Sequence, residues 1–181
     1  CREEKLATHL DGARLFNALV KTGVEPQKMG SNFDSVSLCF SKGLGTPLGS
    51  VLIGTNDFIK KARRVRKVLG GGMRQVGVLA AAGLYALDHH RARLADDHIK
   101  VKAIGETLQK LDYVAEVQPI ETNIVIFELA SHIDSDSFIK NLKSKNILIS
   151  NMGGGKLRMV THLDYTDDMH EKLLETLVRI S

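Results

Sequence analysis

The chain has 181 residues, 43% of them hydrophobic and 25% charged, and a net charge of +4. That length can bury a real core, as one large or two small domains, and no apolar run approaches a bilayer span, which argues against a membrane role. Most of the positive excess is one cluster, Lys60, Lys61, Arg63, Arg64, Arg66 and Lys67; its first five members read as a solvated helix face, and without interleaved aromatics or a known module the cluster does not argue for nucleic acid.

In chain order, Leu6 to Leu10 is a short strand candidate ending at Asp11. A helix is expected from Ala13 to Thr22, stopped by Gly23. Ser35 to Phe40 alternates, with Val36, Leu38 and Phe40 on one face and Ser35, Ser37 and Cys39 on the other. After the turn at Gly45 to Gly49, Ser50 to Gly54 is a further strand. Asn56 or Asp57 can cap a helix whose apolar stripe is Phe58, Ile59, Ala62, Val65 and Leu69, ended by Gly70-Gly71-Gly72. The next helix starts near Gln75, with Val76, Leu79, Ala80, Gly83, Leu84 and Leu87 as its expected buried face. Helical spacing resumes at Leu94 and runs through Val101, Ile104, Leu108 and Leu111.

Beyond residue 112 the pattern changes. Val114 to Gln118 and Asn123 to Glu128 read as strands, and Asp136 to Lys145 as a helix. Ile147 to Ser150 and Lys156 to Thr161 are strands, and Thr166 to Ile180 is a closing helix. These elements predict an α/β region over residues 1–92 and a small α+β domain over 93–181.

Two groups stand out chemically. Asp11 and Lys42 each follow an apolar strand-like run, and an aspartate with a lysine is what pyridoxal phosphate requires. The amine takes the aldehyde, and the carboxylate keeps the pyridine nitrogen protonated. Each alone has an ordinary explanation, since Asp-Gly is a common turn and a lysine before a glycine is commonly solvated. Gly43 and Gly45 would permit a rigid mount and close backbone approach. Cys1 and Cys39 give neither a disulfide framework nor metal-ligand spacing. Cys39, inside an apolar run, reads as a small buried residue. His89, His90 and His98 lack carboxylates at ligand spacing, so no metal site is expected. The opening residues show no initiator Met, signal core or transit pattern, so Cys1 reads as a truncation or trimmed start. A soluble protein of the cytoplasm or mitochondrial matrix is expected, with the compartment open.

Longer motifs carry a resemblance. His9-Leu10-Asp11-Gly12-Ala13-Arg14-Leu15-Phe16-Asn17-Ala18, Cys39-Phe40-Ser41-Lys42-Gly43-Leu44-Gly45-Thr46-Pro47-Leu48-Gly49-Ser50, Gly70-Gly71-Gly72-Met73-Arg74-Gln75 and Leu157-Arg158-Met159-Val160-Thr161-His162 resemble the threonine aldolases. That family has the fold-type-I architecture of the aspartate aminotransferase superfamily. The resemblance implies that residues 1–92 are the C-terminal part of the large cofactor-binding α/β domain and 93–181 the small C-terminal domain. It implies Lys42 as the lysine that bonds pyridoxal 5'-phosphate, Asp11 as the pyridine-nitrogen partner and Arg14 as the arginine beside the ring. His9 lies beneath or beside the ring, and Arg158 grips the substrate carboxylate. Arg74 and Lys67 are basic residues near the cofactor phosphate, the substrate or a bound water. It further implies a homo-oligomer, dimer or tetramer, that cleaves threonine or allo-threonine by retro-aldol chemistry. The family's N-terminal phosphate cup and ring-stacking residue are absent from these residues. Alternatives are another fold-type-I enzyme, either a β-eliminating lyase or an aminotransferase, and an inactive truncated module.

Overall fold

The computed structural model describes residues 1 and 3–180. The chain divides into two compact units, Cys1–Leu94 and Ala95–Ser181.

In the first unit three strands form a mixed sheet: β1 (His9–Gly12), β2 (Ser35–Cys39) and β3 (Ser50–Gly54), in that order. β1 runs parallel to β2, with His9 opposite Ser35 and Asp11 opposite Ser37; β3 returns antiparallel through a hairpin-like loop. The alternation expected for β2 is present: Val36 and Leu38 are buried, whereas Ser35, Ser37 and Cys39 are half-buried on the other face. The connection from β1 to β2 contains helices α1 (Leu15–Thr22) and α2 (Pro26–Gly30). α1 ends where Gly23 turns left-handed and donates its N–H to the Leu19 carbonyl. After β3 come α3 (Asn56–Val68), capped by the Thr55 hydroxyl accepting from the Phe58 N–H, and α4 (Gly77–His89). Phe40, Leu44, Ala86 and Leu94 form a buried cluster, with Phe16 and Leu87 against it.

The first strand starts at His9 rather than Leu6, whose side chain is exposed. Pairing with β2 decides this boundary, because Ser35 is the first residue across which β1 bonds. The buried side of α4 is Gly83 and Ala86; Val76 and Leu84 of the expected face are exposed. A helix apolar nearly all round has no face that periodicity can single out.

In the second unit a four-stranded antiparallel sheet has the order β4 (Val114–Val117), β5 (Ile124–Leu129), β7 (Lys156–Val160), β6 (Ser150–Gly153). Helices α5 (Leu94–Leu108), α6 (Ser135–Ser144) and α7 (Asp167–Arg179) supply the rest of its core. Val125 and Phe127 of β5 join Leu157 and Met159 of β7, Val101, Ile104 and Leu108 of α5, Phe138 and Leu142 of α6, and Leu173 and Leu177 of α7. Buried polar groups tie the ends down: Thr161 Oγ1 donates to the Asp97 carbonyl at 2.7 Å, and Tyr113 donates to the Leu177 carbonyl at 2.6 Å. Tyr113→Phe removes that donor from a half-buried site and is expected to cost about 1 kcal/mol by denaturant titration.

β6 lies three residues later than the sequence suggests. Gly153, Gly154 and Gly155 all take positive φ and make the turn into β7, so pairing is confined to the residues beside it. Ile147 and Ile149 pack instead against the core without strand pairing.

Candidate functional site

Parallel pairing of β1 and β2 brings their carboxyl ends to one edge of the sheet, the place where open α/β folds hold ligands. Asp11 stands on β1 at that edge and is exposed. Its Oδ1 accepts the Ala13 N–H at 3.1 Å, a local turn that orients the carboxylate as the chain enters α1. Gly12 is required by close strand approach: a Cβ there would lie 2.5 Å from the Ser37 carbonyl oxygen. Arg14 follows at the N-cap of α1, half-buried, with its Nε inaccessible to solvent.

Lys42 follows three residues after the end of β2, with an exposed side chain on a fixed base. Gly45 N–H donates to the Lys42 carbonyl at 2.9 Å, Thr46 N–H to the Phe40 carbonyl at 3.2 Å, and Phe40 N–H to the Gly49 carbonyl at 3.0 Å. His90 Nδ1 donates to the Leu44 carbonyl at 2.7 Å and ties this loop to the end of α4. Gly43 is buried, and a Cβ on it would meet Asn17 Oδ1 at 2.7 Å and Leu94 Cδ2 at 3.1 Å. Gly43→Ala should therefore displace the lysine mount and cost about 1–3 kcal/mol as overpacking. Denaturant titration reads the loss, and an unchanged midpoint would count against a tightly held mount.

His9 shares the face of β1 that carries Asp11, and its Nδ1 lies 2.8 Å from Ser35 Oγ. Cys39 belongs to that face too. It is half-buried rather than part of the core, a correction to the expectation from its apolar surroundings. Ser41 and Ser50 oxygens each lie 3.7 Å from its sulfur. Burial pushes the Cys39 thiol up, but the Ser41 and Ser50 hydroxyls and the Lys42 charge outweigh it, and the pKa falls below its ordinary value. Alkylation of Cys39 should consequently show a midpoint below that of a free thiol. Lys42→Ala should move it upward, as read from iodoacetamide rates against pH in the cofactor-free protein. Sequence alone does not single out the two serines and the thiol as a group. Strand alternation places Cys39 beside Ser35 and Ser37, and that is the available signal.

Lys67 is exposed in the last turn of α3, and the glycine run lies against its stem, with a Gly72 Cβ position 3.0 Å from Lys67 Cδ. Arg74 is exposed in the segment before α4. Among the described residues no hydrogen bond or ion pair joins either to Asp11 or Lys42. Arg158 sits mid-strand in β7 of the second unit, between Ile126 on β5 and Ser150 on β6, on the face away from Leu157 and Met159. Its Nε is buried with no hydrogen-bond partner. A half-buried guanidinium with an unsatisfied donor is suited to a carboxylate. Within the first unit the donor set fits pyridoxal phosphate, with an amine on a rigid loop and a carboxylate at the adjacent strand end; within the second, Arg158 by itself offers an open N–H. No group of three His, Cys, Asp or Glu side chains among the described residues could hold a metal ion. No helix among them is long and apolar enough to cross a membrane.

This architecture, with Asp11 on a mixed sheet, Lys42 in the loop after its second strand and a separate antiparallel unit, is the fold of pyridoxal-phosphate enzymes of fold type I. It matches a solved threonine aldolase from Leishmania major with a TM-score of 0.79 at 20% identity, over 99% of this chain and 53% of that one. An ornithine aminotransferase from Toxoplasma gondii shares the fold with a TM-score of 0.66 at 17% identity, over 99% and 44%. Residues 1–132 match the model of the beta-eliminating lyase family, and the chain belongs to that family. It is 43% identical over 169 residues to the low-specificity L-threonine aldolase 1 of Arabidopsis thaliana, covering 91% of this chain and 47% of that protein. It is 44% identical over 163 residues to the low specificity L-threonine aldolase of Escherichia coli strain K12, covering 90% and 47%. The chain thus spans about half the length of these relatives.

Proposed function

We propose that the chain is the lysine-bearing part of a pyridoxal-phosphate-dependent aldolase that cleaves L-threonine or L-allo-threonine to glycine and acetaldehyde. One observation carries this. Asp11 and Lys42 lie at the carboxyl ends of adjacent parallel strands, in a chain more than two-fifths identical to low-specificity L-threonine aldolases.

Bound pyridoxal phosphate would supply the electron sink that accepts the pair left when the Cα–Cβ bond breaks. Lys42 holds the cofactor aldehyde through its amine. The Asp11 carboxylate, oriented by the Ala13 N–H, would keep a proton on the pyridine nitrogen, and Arg14 and His9 would flank the ring. Arg158 grips the substrate carboxylate through two N–H groups. With the cofactor bound, that contact would restrict rotation of the substrate about its nitrogen–Cα bond and orient the bond to be broken. Arg74 belongs to the cofactor phosphate or a bound water, and Lys67 to the substrate side. We also place the chain in a homo-oligomer, dimer or tetramer. Val78 and Tyr85, both exposed and seven residues apart on one face of α4, support that, because an exposed apolar face is commonly covered by protein.

The assay measures acetaldehyde released from threonine against ammonia and pyruvate released from serine. Acetaldehyde supports the proposal; ammonia and pyruvate alone would assign β-elimination instead, as the family's name allows. Arg158→Ala should lower kcat/KM by about a hundredfold, since hydrogen bonds to a charged group contribute about 1.5–3 kcal/mol. Arg158→Lys should recover little of this, because an ammonium lacks the planar fork.

A further inference from the structure

An exposed histidine ring ordinarily samples several rotamers, but His9 is held. Its Nδ1 lies 2.8 Å from Ser35 Oγ, and the two residues are direct partners in the parallel register. The neighbouring rung is pinned as well. Thr8 donates to Asp34 Oδ2 through its N–H at 2.7 Å and its hydroxyl at 3.0 Å, and Ser35 N–H donates to the Thr8 carbonyl at 3.2 Å. When the Ser35 hydroxyl donates to Nδ1, the neutral ring keeps its proton on Nε2 and becomes a donor at its far end.

Asp11 has an acceptor to offer. Its Oδ1 takes the Ala13 N–H, and no hydrogen bond to Oδ2 exists among the described residues. His9 and Asp11 share one face of β1 and are two residues apart, roughly 7 Å along the strand, a gap an imidazole spans directly or through one water. The other ionisable groups near Asp11 are Cys39 on β2, Lys42 beyond β2 and Arg14 at the N-cap of α1.

We propose that Ser35 and His9 form a positioning pair for the Asp11 carboxylate, Ser35 fixing the His9 tautomer and His9 Nε2–H donating to Asp11. This rests on Asp11 being the pyridine-nitrogen partner. A donor at Asp11 holds the carboxylate in one orientation, aimed at a protonated ring nitrogen. Ser35 then acts only through His9.

The test titrates pyridoxal phosphate into the cofactor-free protein and reads the dissociation constant from visible absorbance. Thermal unfolding of each cofactor-free variant separates loss of fold from loss of affinity. S35A and H9F should each weaken binding by about tenfold, the loss expected for one hydrogen bond to a charged group. S35T and H9Q, which keep the hydroxyl and the ε-position donor, should recover most of it. The double variant should bind no more weakly than H9F alone. Unchanged affinity in S35A, or additive losses in the double variant, would overturn the pair. If S35A does not fold, H9Q decides: affinity no better than H9F overturns the proposal. Absence of a Lys42-dependent visible band in the unsubstituted protein would instead overturn the cofactor assignment itself.

Discussion

Replacing Lys42 with alanine is expected to abolish the visible absorbance that appears when pyridoxal phosphate is added, and to lower threonine cleavage by about three orders of magnitude or more, as for loss of a covalent catalytic group. The structure makes this substitution clean. The Lys42 side chain is exposed, while the backbone beneath it is fixed by the Gly45 N–H and by the packing of Gly43 against Asn17 and Leu94. Alanine therefore removes the amine without disturbing the mount, and the unfolding midpoint should stay within about 0.5 kcal/mol of the original. Lys67→Ala is the comparison, since Lys67 is equally exposed on α3. It should leave the visible band in place. Loss of the band in Lys67→Ala with retention in Lys42→Ala would reverse the assignment.

The largest expected effect on stability lies in the second unit. Phe127 is fully buried on β5, and its ring packs edge-on against Phe138 of α6 at 6.3 Å between centroids. Its neighbours come from three helices and the adjacent strand β7. Phe127→Ala removes apolar area and leaves a cavity that this many independent elements cannot jointly close, so a loss of about 3–5 kcal/mol is expected. Phe127→Leu should cost distinctly less. Urea titration followed by far-ultraviolet circular dichroism measures both, and equal midpoints for the two variants would contradict the packing described. Replacing the exposed Ile99 of α5 by alanine should cost little by comparison.

Much of the site is legible in the sequence because its chemistry is local. Asp11 and Lys42 sit beside glycines whose need is visible in three dimensions: Gly12 faces the Ser37 carbonyl and Gly43 faces Asn17. The alternation along β2 is itself enough to separate a buried face from a polar one. What the sequence does not disclose depends on pairing or on distant neighbours. The hydrogen bond between His9 and Ser35 crosses 26 positions and exists because β1 and β2 are parallel and in register. Cys39 reads as buried because Leu38 and Phe40 flank it, yet the strand turns its sulfur towards Ser41 and Ser50. α2 escapes a sequence reading because five residues starting at Pro26 are too short to show a helical period. β6 shifts because three left-handed glycines decide where the hairpin turns, and that overrides the strand propensity of Ile147 and Ile149. Arg158 is marked by its motif; its unsatisfied Nε is a property of the folded sheet.

Every role proposed for the site turns on Lys42 being the residue that bonds the cofactor. Incubating the protein with pyridoxal phosphate, reducing with borohydride and mapping the peptides by mass spectrometry tests it directly. A single pyridoxyl-modified peptide containing Ser41-Lys42-Gly43 is expected, absent from Lys42→Ala. A modification placed on Lys67 or another lysine, or no modified peptide from the protein, would contradict it.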